Sequence, residues 1–163
     1  MSDGNSKTLS GLGFYRWRFW YAWQLGLTGV GWWVYAHHGG ADRWDGPNPT
    51  GDYFATVYDG QRGPVSSKRW EAAREGIEDY EYLCMLRDGI RAAESRGVDD
   101  AQLAAAKRLF DELPKRIEPL LLGTGRRLPL TPDSVPAYKQ ATDSIEAARS
   151  EIVGACMALK MLR

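Results

Sequence analysis

Aromatic residues are crowded into the first third of this chain. Of its 19 aromatic side chains, 14 lie between Phe14 and Tyr58, and six of the seven tryptophans are among them. After about residue 60 the sequence changes to Ala, Leu, Glu, Lys and Arg at helical spacing. We therefore expect an aromatic part that carries the specific chemistry, followed by a helical scaffold.

Length, composition and charge limit the class of protein. A chain of 163 residues corresponds to about one domain, and 44% hydrophobic with 26% charged residues is typical of a folded protein. Its 21 basic and 21 acidic residues give no positive field for nucleic acid or anionic lipid. No stretch approaches the ~20 apolar residues of a membrane span, and the polar first seven residues lack the pattern of a secretory signal. We expect neither a nucleic-acid nor a membrane partner.

Metal and cofactor sites have no motif in this sequence. Cys84 and Cys156 are the only cysteines, and neither stands at a metal-ligand spacing. Small buried apolar side chains are a better interpretation of this pair than one disulfide. The chain also contains no glycine-rich phosphate motif. We expect no metal and no cofactor.

The aromatic part reads as a helix followed by a strand. Residues 14–25 contain no Gly or Pro and predict a helix. Residues 30–35 are apolar on both faces, the pattern of a buried parallel strand. A polar loop rich in Gly and Pro, residues 37–52, leaves the carboxyl end of that strand, and residues 53–58 form a second extended segment. This order indicates an α/β fold.

Three long helices are predicted downstream. Ser67 is a suitable N-cap for a helix over residues 68–96, and Gly97 a suitable stop. The apolar stripe expected on that helix is Trp70, Ala73, Ile77, Tyr80, Leu83, Cys84 and Ile90.

The tail of the chain predicts the other two helices. One begins at Asp99 and Asp100 and runs through about Arg116 or beyond, with Pro114 as a kink. The last covers residues 134–162, and its apolar positions are Tyr138, Ile145, Ile152, Cys156 and Leu159. The final hundred residues therefore read as a helical bundle.

Two stretches of the sequence resemble the C-terminal part of glycoside hydrolase family 123 catalytic domains. Residues 15–20 read Tyr-Arg-Trp-Arg-Phe-Trp, and residues 29–35 read Gly-Val-Gly-Trp-Trp-Val-Tyr. The more specific stretch, residues 67–83, reads Ser-x-Arg-x-Glu-Ala-x-Arg-Glu-Gly-Ile-Glu-Asp-Tyr-Glu-x-Leu. The resemblance covers residues 14 to about 90.

The resemblance implies the last helix–strand–helix of a (β/α)8 barrel, followed by the helical bundle. Residues 14–25 would be the seventh helix, 30–35 the eighth strand and 68–96 the eighth helix, with sugar bound at the carboxyl ends of the strands. Residues 1–13 would be a linker or disordered, 14–97 the end of the barrel, and 98–163 a helical hairpin packed on the last barrel helix.

The resemblance also implies a reaction. Family members act as retaining β-N-acetylgalactosaminidases in which the acetamido group of the substrate attacks the anomeric carbon, assisted by an adjacent Asp-Glu pair on an earlier strand. In this chain the first Asp-Glu dipeptide is Asp111-Glu112, which lies in the helical tail. We therefore expect part of a sugar subsite without the catalytic pair.

Candidate sugar-binding residues follow from strand alternation. In a barrel strand over 30–35, Trp33 and Tyr35 point inward, where an indole can stack on a pyranose and a phenol can donate to a hydroxyl. His37, Asp42 and Trp44 belong to the loop that follows. The alternative for Trp33 and Tyr35 is packing in the core. For Trp44 it is packing of the loop onto the top of the barrel, and for His37 it is a solvated side chain in the loop.

Arg16 completes the set of candidate site residues. It lies on the helix that leads to the strand, from which it would reach a carboxylate of the active site, and a structural ion pair is the favoured alternative. On the 68–96 helix the i, i+4 pairs Arg74–Glu78 and Glu71–Glu75 predict a charge network that ties the helix to the barrel wall.

Two functions remain open from the sequence. The first is a glycoside hydrolase domain that contributes a subsite for an N-acetylhexosamine-containing glycan. The second is a non-catalytic carbohydrate-binding or assembly module that completes a separately encoded chain carrying the earlier barrel strands. Self-association through the aromatic surface is a further outcome of an incomplete barrel.

Overall fold

The computed structural model describes residues 13–31, 56–60, 62–124 and 135–161. In chain order its elements are α1 (Gly13–Gln24), β1 (Val57–Gly60), β2 (Gly63–Ser66), α2 (Lys68–Ser95), α3 (Ala101–Thr124) and α4 (Val135–Met161). The two strands form an antiparallel hairpin in which Val57 lies opposite Ser66 and Gly60 opposite Gly63. Four helices and one short hairpin therefore make up the described part of the chain.

The predicted α/β fold, the end of a (β/α)8 barrel, is wrong. The described ranges contain no barrel strand, and their only sheet is the hairpin of β1 and β2. Val30 and Gly31, where the predicted eighth strand begins, have no regular structure, and residues 32–35 lie outside the described part. The helices bury their apolar faces against one another, so the described core needs no sheet to close it.

The signals that begin and end α2 are confirmed. The Oγ of Ser67 accepts a hydrogen bond from the backbone N of Trp70 at 3.1 Å, as an N-cap does. Gly97, two residues past the end of α2, has a φ of 70°, the left-handed conformation that favours glycine. The Ser67 hydroxyl also donates to the Thr56 carbonyl and so joins the cap to the chain entering the hairpin.

The buried stripe of α2 differs from the predicted one. Its buried positions alternate by three and four residues along nearly the whole helix, and they are Ala73, Gly76, Asp79, Leu83, Leu86, Ile90 and Ala93. Ile77, which was assigned to the stripe, is 42% exposed, and Trp70, Tyr80 and Cys84 are only partly buried. The buried face of α2 is therefore rotated by about one residue from the predicted face. This rotation places the charged residue Asp79 in the interior.

Gly76 decides that rotation. A Cβ placed on Gly76 would stand 2.7 Å from the backbone oxygen of Arg16 and 2.4 Å from Cδ2 of Phe19. The backbones of α1 and α2 therefore meet at this point, which only glycine permits.

Helices α1 and α2 run in the same direction. The guanidinium of Arg69, in the first turn of α2, lies 5.9 Å from the ring centre of Tyr15, near the start of α1. Further along, the hydroxyl of Tyr80 donates to the backbone oxygen of Leu27 at 3.2 Å. Because these contacts advance together along both helices, α1 and α2 are parallel.

The C-terminal helices close the core. Oδ1 of Asp100 accepts from the backbone N of Gln102 at 2.6 Å, so the predicted cap of α3 is confirmed, and the helix continues past Pro114. The main cluster of apolar side chains combines Trp17 and Trp20 of α1 with residues of all three longer helices. The predicted core positions of α4 are confirmed at Ile145, Ile152, Cys156 and Leu159, which are all buried.

Two further properties concern the cysteines and the hydrophobicity of the helices. Cys84 and Cys156 are both free thiols, and burial raises the pKa of Cys156 above its ordinary value. Of the helices in the described part of the chain, none combines the length and apolar character needed to cross a membrane.

Candidate functional site

A buried carboxylate stands at the centre of the bundle. Asp79 is 1% exposed and lies on the buried stripe of α2. Its carboxylate accepts from Nε of Arg16 at 2.6 Å and from Nη2 of Arg16 at 3.0 Å. Nε1 of Trp20 donates to it as well, at 2.8 Å. A carboxylate with so little access to water needs such partners, because an unpaired buried charge costs several kcal/mol.

Arg16 joins three helices through one side chain. The residue is 6% exposed, and besides its two bonds to Asp79 its Nη1 donates to Glu146 of α4. The same nitrogen lies 3.3 Å from Oε2 of Glu75. Burial by itself would lower the pKa of Arg16, but the hydrogen bonds to Asp79 and Glu146 outweigh it and hold the pKa above its ordinary value. Arg16 therefore stays charged and links α1 to both α2 and α4.

A second arginine approaches the same carboxylate from α4. Nε of Arg149 lies 3.5 Å from Oδ1 of Asp79, and its Nη2 donates to Glu78 at 2.9 Å. The guanidinium carbon stands 5.5 Å from the ring centre of Tyr82. Burial would lower the pKa of Arg149, but the attraction of Asp79 and the bond to Glu78 raise it. Arg149 thus holds α4 against the buried stripe of α2, and Arg16 holds α1 against the same stripe.

The predicted charge network is present, with different neighbours. Arg74 donates to Glu71 at 2.9 Å and also to Glu78, which pairs in turn with Arg149. The expectation that the network ties this helix to a barrel wall is corrected by these contacts. Its partners are the helices α1 and α4, because the buried stripe of α2 faces them.

Four side chains form what we call the charge cluster: Arg16, Asp79, Glu146 and Arg149. The charge cluster holds the helices together and does not transfer protons to a ligand. Asp79 is enclosed by two guanidinium groups and an indole, so a substrate atom cannot reach its oxygens. General acid or base catalysis requires contact with the reacting atom, directly or through one water. The cluster therefore fixes the positions of the surrounding helices, and with them the walls of an adjacent groove.

That groove lies where the first turns of α1 and α2 meet α4. Its volume is about 610 Å³, within the usual size of small-ligand clefts, about 300–1,000 Å³. Gly13, Trp17 and Ala72 contribute apolar surface, whereas Lys68 and Glu75 contribute charged groups. Arg16 and Thr142 also line it, so the groove touches the charge cluster and is bounded by α4 on one side.

Trp33, Tyr35, His37, Asp42 and Trp44 lie outside the described residues, so their role stays a prediction.

Arg16 is the candidate site residue that lies within the described ranges. It stands at the boundary between the charge cluster and the groove. Its side chain makes the structural ion pair that was the favoured alternative, in the interior of the bundle and not on a helix surface.

Three members of the cluster were not identified from the sequence: Asp79, Glu146 and Arg149. For Asp79 a signal existed, because it stands three residues after Gly76 and four before Leu83 on a stripe that is otherwise apolar. A lone acidic residue on such a stripe predicts a buried partner of opposite charge. For Glu146 and Arg149 no local signal existed, since their partners lie more than 60 residues away in the chain.

Metal binding has no support in the described ranges. No group of three His, Cys, Asp or Glu side chains in these ranges is placed to hold a metal ion. The carboxylates that come together at Asp79 are neutralised by arginines instead.

The comparison with protein families identifies the class of this chain. Neither a curated protein nor a solved structure matches it. The family described as glycoside hydrolase 123, catalytic domain, matches residues 5–86, just over half of the chain. The match includes α1, the hairpin and the first two thirds of α2, with both Arg16 and Asp79, and it leaves out α3 and α4. The resemblance found in the sequence is thereby confirmed, and the chain belongs to the glycoside hydrolase 123 catalytic-domain family.

Proposed function

We propose that this chain contributes a carbohydrate-binding subsite to a glycoside hydrolase 123 domain that hydrolyses β-N-acetylgalactosaminides or related glycosides. The observation that carries the proposal is the family match over residues 5–86. That range contains all seven tryptophans and all six candidate sugar-binding residues. The ligand class in the proposal is a glycan that contains an N-acetylhexosamine.

Chemistry supports the aromatic residues as the binding surface. The faces of indole and phenol rings stack on the C–H face of a pyranose, and a tyrosine hydroxyl can also exchange hydrogen bonds with sugar hydroxyls. Trp33, Tyr35 and Trp44 supply such rings, and His37 and Asp42, close to them in the sequence, supply hydrogen-bonding groups. In this proposal Arg16 acts indirectly, by fixing α1 against α2.

The chain is proposed to bind sugar without cleaving it. Substrate-assisted hydrolysis needs an acid and a carboxylate that orients the acetamido group. The only Asp-Glu dipeptide is Asp111-Glu112, whose side chains are exposed on α3, outside the matched range. We expect no hydrolysis of aryl β-N-acetylgalactosaminides by this chain above the buffer background. Measured turnover would contradict a purely binding role.

A titration of N-acetylgalactosamine into the chain tests the proposal. Replacing Trp33 with Ala removes a stacking surface worth about 0.5–1.5 kcal/mol beyond burial, so affinity should fall by about threefold to tenfold. Tyr21→Ala is the matched control, since Tyr21 is an exposed aromatic of α1 that is not among the candidates. Circular dichroism verifies that both variants are folded. Equal affinities of a folded Trp33→Ala variant and the parent chain would refute sugar binding by Trp33.

Exposed apolar side chains favour a second candidate function, an assembly module. Leu25 and Leu27, just past α1, are about half exposed, and Ile77 of α2 is exposed as well. Large apolar side chains in water on neighbouring elements are typical of surfaces that bind another protein. Sedimentation of the purified chain would distinguish the candidates, because an assembly module should self-associate or need a partner chain. A sugar-binding monomer would speak against it.

A further inference from the structure

The groove beside the charge cluster combines apolar surface with charged groups of both signs. Gly13 covers the indole of Trp17 so closely that a Cβ on Gly13 would lie 2.3 Å from Cζ2 of that ring. Ala72 continues this apolar surface on α2. The ammonium of Lys68 and the carboxylate of Glu75 line the groove as well. The groove therefore offers both apolar contact and hydrogen bonding.

Lys68 and Glu75 both have unused capacity for hydrogen bonds. Within the described ranges no side chain or backbone atom pairs with Nζ of Lys68, which leaves three N–H donors. Glu75 is 40% exposed, and its Oε2 lies at the long distances of 3.3 Å from Arg16 and 3.4 Å from Arg149. A ligand in the groove can therefore receive hydrogen bonds from Lys68 and donate them to Glu75.

The walls of the groove are held in place before any ligand binds. The paired arginine and carboxylate of Arg16 and Asp79 lock α1 to α2, and the backbone contact at Gly76 sets their distance. Arg149 fixes α4, whose Thr142 forms the remaining wall. A site with fixed walls loses little entropy on binding, which favours recognition of a small ligand.

The balance of charge selects the class of ligand. A simple anion would approach Lys68 but also face the carboxylates of Glu71 and Glu75, and a simple cation would meet Lys68. A neutral molecule that carries both donors and acceptors next to an apolar face fits without such conflict. A pyranose has this character, because each hydroxyl donates and accepts while the ring C–H groups form an apolar face.

We infer that the groove bounded by Gly13, Trp17, Lys68, Ala72, Glu75 and Thr142 is a separate binding site for a neutral sugar. The apolar face of the sugar lies on Gly13, which covers Trp17, and on Ala72, and its hydroxyls bond to Lys68 and Glu75. The choice of a sugar as ligand rests on the proposed function, whereas the location does not. Because Thr142 belongs to α4, this site uses a helix that lies outside the family match.

The test is an NMR titration of the full chain, labelled with ¹⁵N, with N-acetylgalactosamine and with methyl β-galactoside as probes. Amide shifts are expected at Gly13, Ala72 and Thr142. Lys68→Met should weaken the groove affinity by about tenfold to a hundredfold, the value of a hydrogen bond to a charged group. Lys115→Met, which removes an exposed lysine of α3, is the matched control and should leave the affinity unchanged.

A second variant closes the groove by volume. Ala72→Phe places a ring where the sugar is expected, so the shifts at Gly13 and Thr142 should disappear. Absence of groove shifts in the parent chain, or equal affinity of Lys68→Met and the parent chain, would overturn the inference. Tighter binding of galacturonate or of galactosamine than of the neutral sugar at these amides would overturn it too.

The Trp33→Ala variant separates this inference from the proposed function. If Trp33→Ala lowers sugar affinity and Lys68→Met does not, the groove site is wrong and the proposed function stands. If the groove shifts depend on Lys68 and Trp33→Ala has no effect, the groove site stands and the subsite at Trp33 is wrong.

Discussion

Arg16 and Asp79 form a two-bond ion pair across the contact of α1 and α2, with Nε–Oδ2 at 2.6 Å and Nη2–Oδ1 at 3.0 Å. Both residues lie inside the family match, whereas Arg149 and Glu146, which complete their surroundings, come from α4. The part of the chain outside the family match therefore supplies charges that complete the surroundings of the buried Arg16–Asp79 pair.

Removing the buried carboxylate should be strongly destabilising. Asp79→Asn leaves the guanidinium of Arg16 buried with no charged partner at its Nε, and we expect a loss of about 3–5 kcal/mol in the free energy of unfolding. Urea unfolding followed by circular dichroism measures it. Asp143→Asn is the control, since the exposed Asp143 pairs with Lys139 on the same helix, and its loss should cost about 0.5 kcal/mol or less. Similar losses for the two variants would show that the buried Arg16–Asp79 pair contributes no more to stability than the exposed Lys139–Asp143 pair.

A methyl group at the contact of α1 and α2 should force the helices apart. Gly76→Ala brings a Cβ to within 2.7 Å of the Arg16 carbonyl oxygen, so we expect a loss of about 1–3 kcal/mol. Gly154→Ala is the opposite control, because a Cβ at this position in α4 meets nothing within 4 Å. It should stabilise the chain by about 0.5–1 kcal/mol through lower backbone entropy in the unfolded state. Thermal unfolding of both variants measures whether each change in stability is a loss or a gain. A stabilising Gly76→Ala would contradict the close approach of the α1 and α2 backbones at this position.

Loss of the α2 N-cap should be measurable by itself. Ser67→Ala removes the acceptor for the backbone N of Trp70 and the donor to the Thr56 carbonyl, at an expected cost of about 1–2 kcal/mol. Ser95→Ala, at the exposed end of the same helix, is the control and should change stability by less than about 0.5 kcal/mol. Hydrogen exchange should also show faster opening of the first turn of α2 in Ser67→Ala. An unchanged first turn would mean that the cap is dispensable.

The bridge between α3 and α4 should respond to acid. Nη1 and Nη2 of Arg116 donate to Glu151 at 2.7 and 2.8 Å, and these bonds hold the pKa of Glu151 below its ordinary value. A lowered pKa in the folded state stabilises the fold above the pKa of the unfolded chain, and this contribution is lost as the pH falls through the folded value. We therefore expect the bridge to weaken only at pH below the ordinary pKa of a glutamate.

An NMR titration of the Glu151 carboxyl checks this prediction. Arg116→Met should return the pKa of Glu151 toward its ordinary value and remove its share of the acid dependence of stability. Arg108→Met, an exposed arginine on the same helix, serves as the control. A pKa of Glu151 that stays low in Arg116→Met would contradict the assignment of its cause.

Local features of the fold were predictable because their causes lie within a few residues. The cap at Ser67, the stop at Gly97 and the cap at Asp100 each depend on one side chain or one φ angle near the helix end. The core positions Ile145 and Ile152 follow from the spacing along α4 itself. The family likewise followed from a continuous run of residues, 67–83, that is written out in the sequence.

The rotation of α2 and the partners of its charges were decided by the tertiary structure alone. Residues 70–84 carry two overlapping stripes, one through Ile77 and one through Gly76 and Asp79, and spacing by itself does not choose between them. The choice falls to the second stripe because α1 packs at Gly76 and because Arg16 and Arg149 arrive from distant parts of the chain to neutralise Asp79. Burying a carboxylate is tolerable only where such partners converge, so its position depends on long-range packing. The barrel that the family resemblance implied was wrong because the described helices bury their apolar faces against one another and not against a sheet.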